Sequence, residues 1–310
     1  MFWGILMARS AYSKKKEDIE FQYRERCRNL PEDKLIALLG HNDFMLAMEA
    51  AKILQLEGGR RVIKLAQMDC SDGNYKRRAL AAFILGQIKL STFEEKVSLE
   101  ILGHLALTDK SALVRSYAVS SFGHCCRRNN KNAGLLLELA KNTVLDKSVN
   151  VRESTAFALS TFDSKASIPL LIKLLSDSHS SVRGWAAFAV RMNGYDSPEV
   201  RNCLVLLLQD GDFDVRFEAM VGLAKLRDKR VTQVLMNELG KEPVYDDLVE
   251  AAGDLGDIAL LSVLYKLRDE FEPFDELNTS IEILENFGMA TPIQTTKLRG
   301  SRLLNSTGGK

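Results

Sequence analysis

The chain has few residues that break helices and few that could staple or metal-bind a fold. Six prolines in 310 residues leave long stretches free to run as helix. Five cysteines, Cys27, Cys70, Cys125, Cys126 and Cys203, form an odd, scattered set without a CxxC pair. That pattern argues against a disulfide framework and structural zinc, and fits a reducing, cytoplasmic setting. No apolar run is long enough to span a membrane. The opening Phe2-Trp3-Gly4-Ile5-Leu6-Met7-Ala8 is short, and its positive charges follow it, the reverse of a secretory signal. Met7 offers an alternative start to Met1. A net charge of +1 provides no general attraction to polyanions.

Signatures of chemistry are equally scarce. There is no Gly-rich phosphate loop, nucleophile elbow or paired metal motif. His41, His104, His124 and His179 are scattered along the chain. Cys125 and Cys126 stand beside His124, but adjacent residues on a helix point apart. The expectation is a non-enzyme without cofactor or metal.

What the chain does have is a repeat. An Arg leads a small pair three and four residues on and an apolar residue at seven. Arg78 leads Ala81, Ala82 and Leu85; Arg115 leads Ala118, Val119 and Phe122; Arg152 leads Thr155, Ala156 and Leu159. Arg183 and Arg216 lead similar sets, and weaker copies place Ala47 and Leu248 in the Arg slot. Successive slots lie 31, 37, 37, 31, 33 and 32 residues apart. A period in that range means a stacked array, in which each unit buries its face against its neighbours.

Each repeat reads as two helices. The first carries Leu, Ile and Val at helical spacing, as in Leu35, Ile36, Leu38 and Leu39. The second begins before the Arg slot, with Asp43, Asn74, Ser111, Ser148 and Asp212 as N-cap types, while His179 and Val244 break that rule. Six residues before the slot stand Asp72, Asp109, Asp146, Asp177 and Asp210. With Arg78, Arg115, Arg152, Arg183 and Arg216, they are expected to form a structural ladder of charge-assisted bonds between repeats. A carboxylate recurring in every repeat argues against a catalytic role.

The Asp-x5-Arg-x2-Ala-(Ala/Val) motif resembles HEAT repeats, in particular the short bacterial kind seen in phycobilin lyase subunits. The resemblance covers residues 31–290. It implies an all-α, right-handed α-solenoid, an armadillo-type fold of about seven to eight helical hairpins, with second helices on the concave side. Residues 1–30 then read as an N-terminal segment with a capping helix, and residues 291–310 as a polar, disordered tail.

The repeat also sets the phase of each second helix. At 100° per residue, positions two, five and nine after the slot should face away from the core. Those positions bring Phe83, Tyr117, Phe157, Trp185 and Phe188 to one surface. Two readings stand for these rings: a partner-binding groove, or core buried between repeats. The charge is uneven, about +8 over residues 1–209 and −11 over residues 210–285. Asp214, Glu218, Asp246, Glu250 and Asp254 make the C-terminal end of that surface acidic.

The expected function is protein binding by a monomeric scaffold or inhibitor, with a basic protein as partner. A sharper expectation is a bacterial immunity-type protein that neutralises a basic toxin. The alternatives are a nucleic-acid-binding protein, such as a HEAT-like DNA alkyl-base glycosylase, and a lyase-like or assembly-factor HEAT protein. The missing clustered positive face argues against nucleic acid.

Overall fold

The structure, a computed structural model, describes residues 11–128, 130–271 and 274–290. The expectations for the first ten residues and for the tail from 291 lie outside these. Every regular element among the described residues is helical. The chain divides into two compact units at Tyr195 and Asp196.

In the first unit α1 (Ala11–Cys27) precedes five hairpins: α2 (Glu32–Leu38) with α3 (Phe44–Glu57), α4 (Arg60–Asp69) with α5 (Tyr75–Gln87), α6 (Thr92–Thr108) with α7 (Ala112–Arg128), α8 (Ala133–Thr143) with α9 (Val149–Ser160), and α10 (Ile168–Leu175) with α11 (Ser180–Asn193). The second unit holds three: α12 (Pro198–Leu207) with α13 (Phe213–Lys225), α14 (Thr232–Leu239) with α15 (Asp246–Leu255), and α16 (Leu261–Glu270) with α17 (Asp275–Ala290). The fold is an all-α solenoid of HEAT-type hairpins.

The core of each repeat is the apolar set counted from the Arg slot. Ala81, Ala82 and Leu85, then Ala118, Val119 and Phe122, then Thr155, Ala156 and Leu159 are all buried. Their partners on first helices include Val62, Ile63, Leu102, Leu136 and Leu171. Apolar stripes at i, i+3, i+4 and i+7 can be satisfied only by burying one face of each helix.

The turns are held by a repeated hydrogen-bond unit. Each turn aspartate accepts the backbone N–H two residues on: Asp72 from Asn74 at 2.7 Å, Asp109 from Ser111 at 2.8 Å, Asp146 from Ser148 at 2.8 Å, Asp177 from His179 at 2.9 Å and Asp210 from Asp212 at 3.0 Å. The slot arginine clips the same turn by donating from Nη1 to the aspartate's carbonyl. Arg78, Arg115, Arg152, Arg183 and Arg216 all do so at 2.7–2.9 Å. Within the first unit, Arg78, Arg115 and Arg152 also reach the next turn. Their Nε and Nη2 grip Asp109, Asp146 and Asp177 in two-point bonds of 2.6–2.9 Å.

Helix starts depart from the expected caps in places. Asp43, Asn74 and Asp212 accept N–H bonds from their own first turns. Ser148 makes no side-chain cap bond; Asp146 instead takes the Ser148 N–H, forming an Asx-type turn. The cap of α15 is Tyr245 rather than Val244.

Second helices also pack side by side, through small residues. An added Cβ at Gly123 on α7 would lie 2.8 Å from Ala158 Cβ and 2.9 Å from its Cα on α9. Gly86 on α5 meets Ser121 on α7 in the same way, and Gly253 on α15 meets Ser280 on α17. With second helices on both sides, α5, α7, α9 and α15 therefore bury their core face and both flanks, leaving a narrow outer strip.

Candidate partner-binding surface

In the first unit the outer strip is lined with rings, all half-buried. Tyr117 on α7 packs edge-on against Phe44 of α3 at 6.3 Å and Phe83 of α5 at 6.2 Å between centroids. A second run links His124 of α7 to Phe157 of α9 at 5.2 Å, Phe157 to Trp185 of α11 at 5.4 Å, and Trp185 to Phe188 at 5.4 Å. These near-perpendicular contacts set a positive ring edge against a negative ring face. The Trp185 indole N–H donates to Glu153 Oε1 at 3.1 Å, and the Arg191 guanidinium lies 5.2 Å from the Phe188 ring centre. Burial pushes the Tyr117 phenol above its ordinary range. The rings thus touch their neighbours while keeping part of their surface in water, between the two readings open at the sequence level.

Position two after the slot runs from buried at Glu49, Leu80 and Glu218 through half-buried at Tyr117, Ser154 and Trp185 to exposed at Glu250. It lies only about 40° around the helix from position six, the flank that Ala158 and Ser121 press against a neighbour. Leu80 is accordingly buried. Glu49 is also buried, covered from the α1 side, and is paired with Lys52 at 2.5 Å and Arg24 at 3.7 Å. Glu218 is corrected here as well: at 3 % exposure it is interior and no part of an acidic surface.

In the second unit the other expected acids do face water. Asp214 on α13 and Asp246, Glu250 and Asp254 on α15 are exposed. The last three lie four residues apart and form one stripe. Asp214 and Asp246 stand in first turns, where the helix dipole favours an acid; Asp254 stands in the last turn of its helix, where the dipole opposes it. Beside them, Phe213, Phe217 and Tyr245 form a trio with centroids 5.3–6.0 Å apart.

Sequence reasoning missed Phe44, Phe213, Phe217, Tyr245 and Glu153, while His124 stands at position nine after its slot, on the outward face as the phase requires. Phe44, Phe213 and Tyr245 all occupy the position three before the slot, so a scan of that column for aromatics would have found them.

The chemistry-bearing residues do not converge. The His41 ring accepts the Asp43 N–H, His104 bonds Thr108, and His179 bonds Ser181. Cys125 and Cys126 are buried, and burial first, then its neighbours' charge, pushes the Cys126 thiol up to about 12. A thiol in that state is a poor nucleophile near neutral pH. No helix among the described residues is long and apolar enough to cross a membrane.

Residues 151–177 match the PBS lyase HEAT-like repeat family. Over 276 residues the chain is 44% identical to Protein YibA of Escherichia coli strain K12, spanning 89% of this chain and 99% of that protein. The X-ray structure of YibA aligns with a TM-score of 0.76 and 44% identity, covering 86% of this chain and 96% of the other. The complex of CpcE and CpcF of phycocyanin lyase from Nostoc sp. PCC7120 aligns at a TM-score of 0.46 with 19% identity, over 84% of this chain and 95% of that one. With the repeat geometry described above, the identity and coverage shared with YibA place the chain in the YibA family of HEAT-like repeat proteins.

Proposed function

We propose that the chain is a non-catalytic protein-binding module whose partner is a basic protein. The observation that carries this reading is the ring-lined strip of the first unit, where aromatic side chains are half-buried against each other yet still wet. Rings held rigid by edge-on contacts lose little entropy when a partner covers them, so their burial goes largely into affinity. The exposed acids of the second unit supply a complementary field for a cationic partner, which sets orientation and association rate. The finer reading is an inhibitor of the immunity type, which covers the active face of a basic toxin enzyme in the cytoplasm and acts as a monomer.

The test is capture from cells on the wild-type chain, the Trp185→Ala variant and the Glu250→Lys/Asp254→Lys variant, with thermal melting of each. A basic protein held by the wild type and depleted at least about tenfold by both variants supports the reading. Equal capture by all three folded chains overturns it, and so does capture of a duplex nucleic acid in place of a protein.

A further inference from the structure

We propose that the second unit carries a separate docking hollow for a peptide segment that places an apolar side chain next to a lysine or arginine. The hollow measures about 800 Å³ and opens to solvent. Its walls are Pro243 and Val244 from the turn before α15, and Phe271 and Phe274 from the connection between α16 and α17. Its charged lining residues, Glu242 and Asp246, are both acidic and both exposed. Phe271 leaves 39 % of its surface in water, so part of its ring is open to an occupant.

The occupant follows from that chemistry. Aromatic and aliphatic walls favour a branched apolar side chain over water, because the apolar surface of both is removed from solvent. An ammonium or guanidinium two residues away in an extended segment stands on the same face and would reach the two acidic lining residues. An acidic segment would meet like charge there, and within residues 210–285 the net charge of about −11 opposes it further. The occupant is therefore a basic, leucine- or phenylalanine-bearing strand. This site is built from residues of the second unit and the ring strip from residues of the first, and it rests on the same reading of a basic protein partner.

The experiment uses the full chain with Trp3→Phe, so that indole fluorescence reports Trp185 and the ring strip. Methyl NMR of Val244 reports the hollow. The probe is a blocked heptapeptide with one central leucine among lysines, so that lysines two residues to either side share the leucine's face, and its opposite has glutamate in place of every lysine. The expected result is a saturable shift of the Val244 methyl signals with the lysine peptide and none with the glutamate peptide. Glu242→Gln/Asp246→Asn should weaken that binding at least about threefold without changing the helical spectrum. Phe271→Ser, at a half-exposed position, should weaken it as well. Val244 signals that stay still, or that move equally with both peptides, overturn the hollow. A Trp185 response without a Val244 response also overturns it while leaving the ring strip standing. A Val244 response without a Trp185 response supports the hollow and counts against the ring strip.

Discussion

Arg78, Arg115 and Arg152 each hold two turns at once. Arg115 donates to the Asp109 carbonyl of its own turn and grips the Asp146 carboxylate of the next, with both side chains mostly buried. Arg115→Ala leaves that carboxylate in a partly dry turn without its cation, which should cost about 3 kcal/mol at neutral pH. The cost should depend on pH. Burial pushes the Asp109 and Asp146 carboxyls up, but arginine and serine N–H bonds with the arginine charge outweigh it and hold both below 3.8. The Arg152 bond leads the same effect at Asp177. A carboxyl depressed in the folded state stabilises fully above its unfolded value, near pH 4, and loses that contribution as pH falls through its folded value. Denaturant midpoints of wild type and Arg115→Ala should therefore differ most above pH 4 and converge below it. A gap constant from pH 7 to pH 2 would contradict this account.

Between helices, the deciding contacts are the smallest. Gly123 and Gly86 let α5, α7 and α9 approach until backbone meets side chain, and that approach shuts both flanks of α7. Gly123→Ala should gain helix propensity of about 1 kcal/mol, yet a Cβ 2.9 Å from the Ala158 Cα must push the helices apart. Overpacking of this kind costs about 1–3 kcal/mol, so the expected net change is a loss of stability, read as a lower urea midpoint. A stabilised variant would mean that α7 and α9 pack more loosely than described. The same approach explains what helix phase alone could not supply. Phase places Phe83, Phe157, Trp185 and Phe188 on the outer side, but not how far neighbouring rings would cover one another.

For the chain as a whole, charge is distributed by region. The acidic residues concentrate after residue 210, and Glu250 and Asp254 expose theirs on one stripe of α15. Long-range attraction scales with such net charge and is screened beyond about 10 Å at ordinary salt. Reversing Glu250 and Asp254 to Lys should slow association with a basic partner about tenfold at low ionic strength and flatten its salt dependence. Because both side chains are exposed, the helical spectrum and melting curve should barely move. Unchanged association kinetics across salt would remove steering from the mechanism.

The period of the arrays, the two helices per repeat and the buried triad after each Arg slot were legible from residue types alone, because helical spacing is a local property. The Asp-to-Arg step was legible as a pattern, but its double use, one turn clipped by Nη1 and the next by Nε and Nη2, needed coordinates. Glu218 marks the limit most clearly. Its place on the helix reads as outward, and its charge reads as surface, yet it is buried. How wide a face stays open depends on the distance between neighbouring helices, and close contacts of Gly with Ala or Ser, between residues 27 to 35 positions apart, help to set that distance. Sequence determined the repeat and its phase through short-range geometry; tertiary packing alone decided which outward residues remain in contact with water, and so which of them a partner can touch.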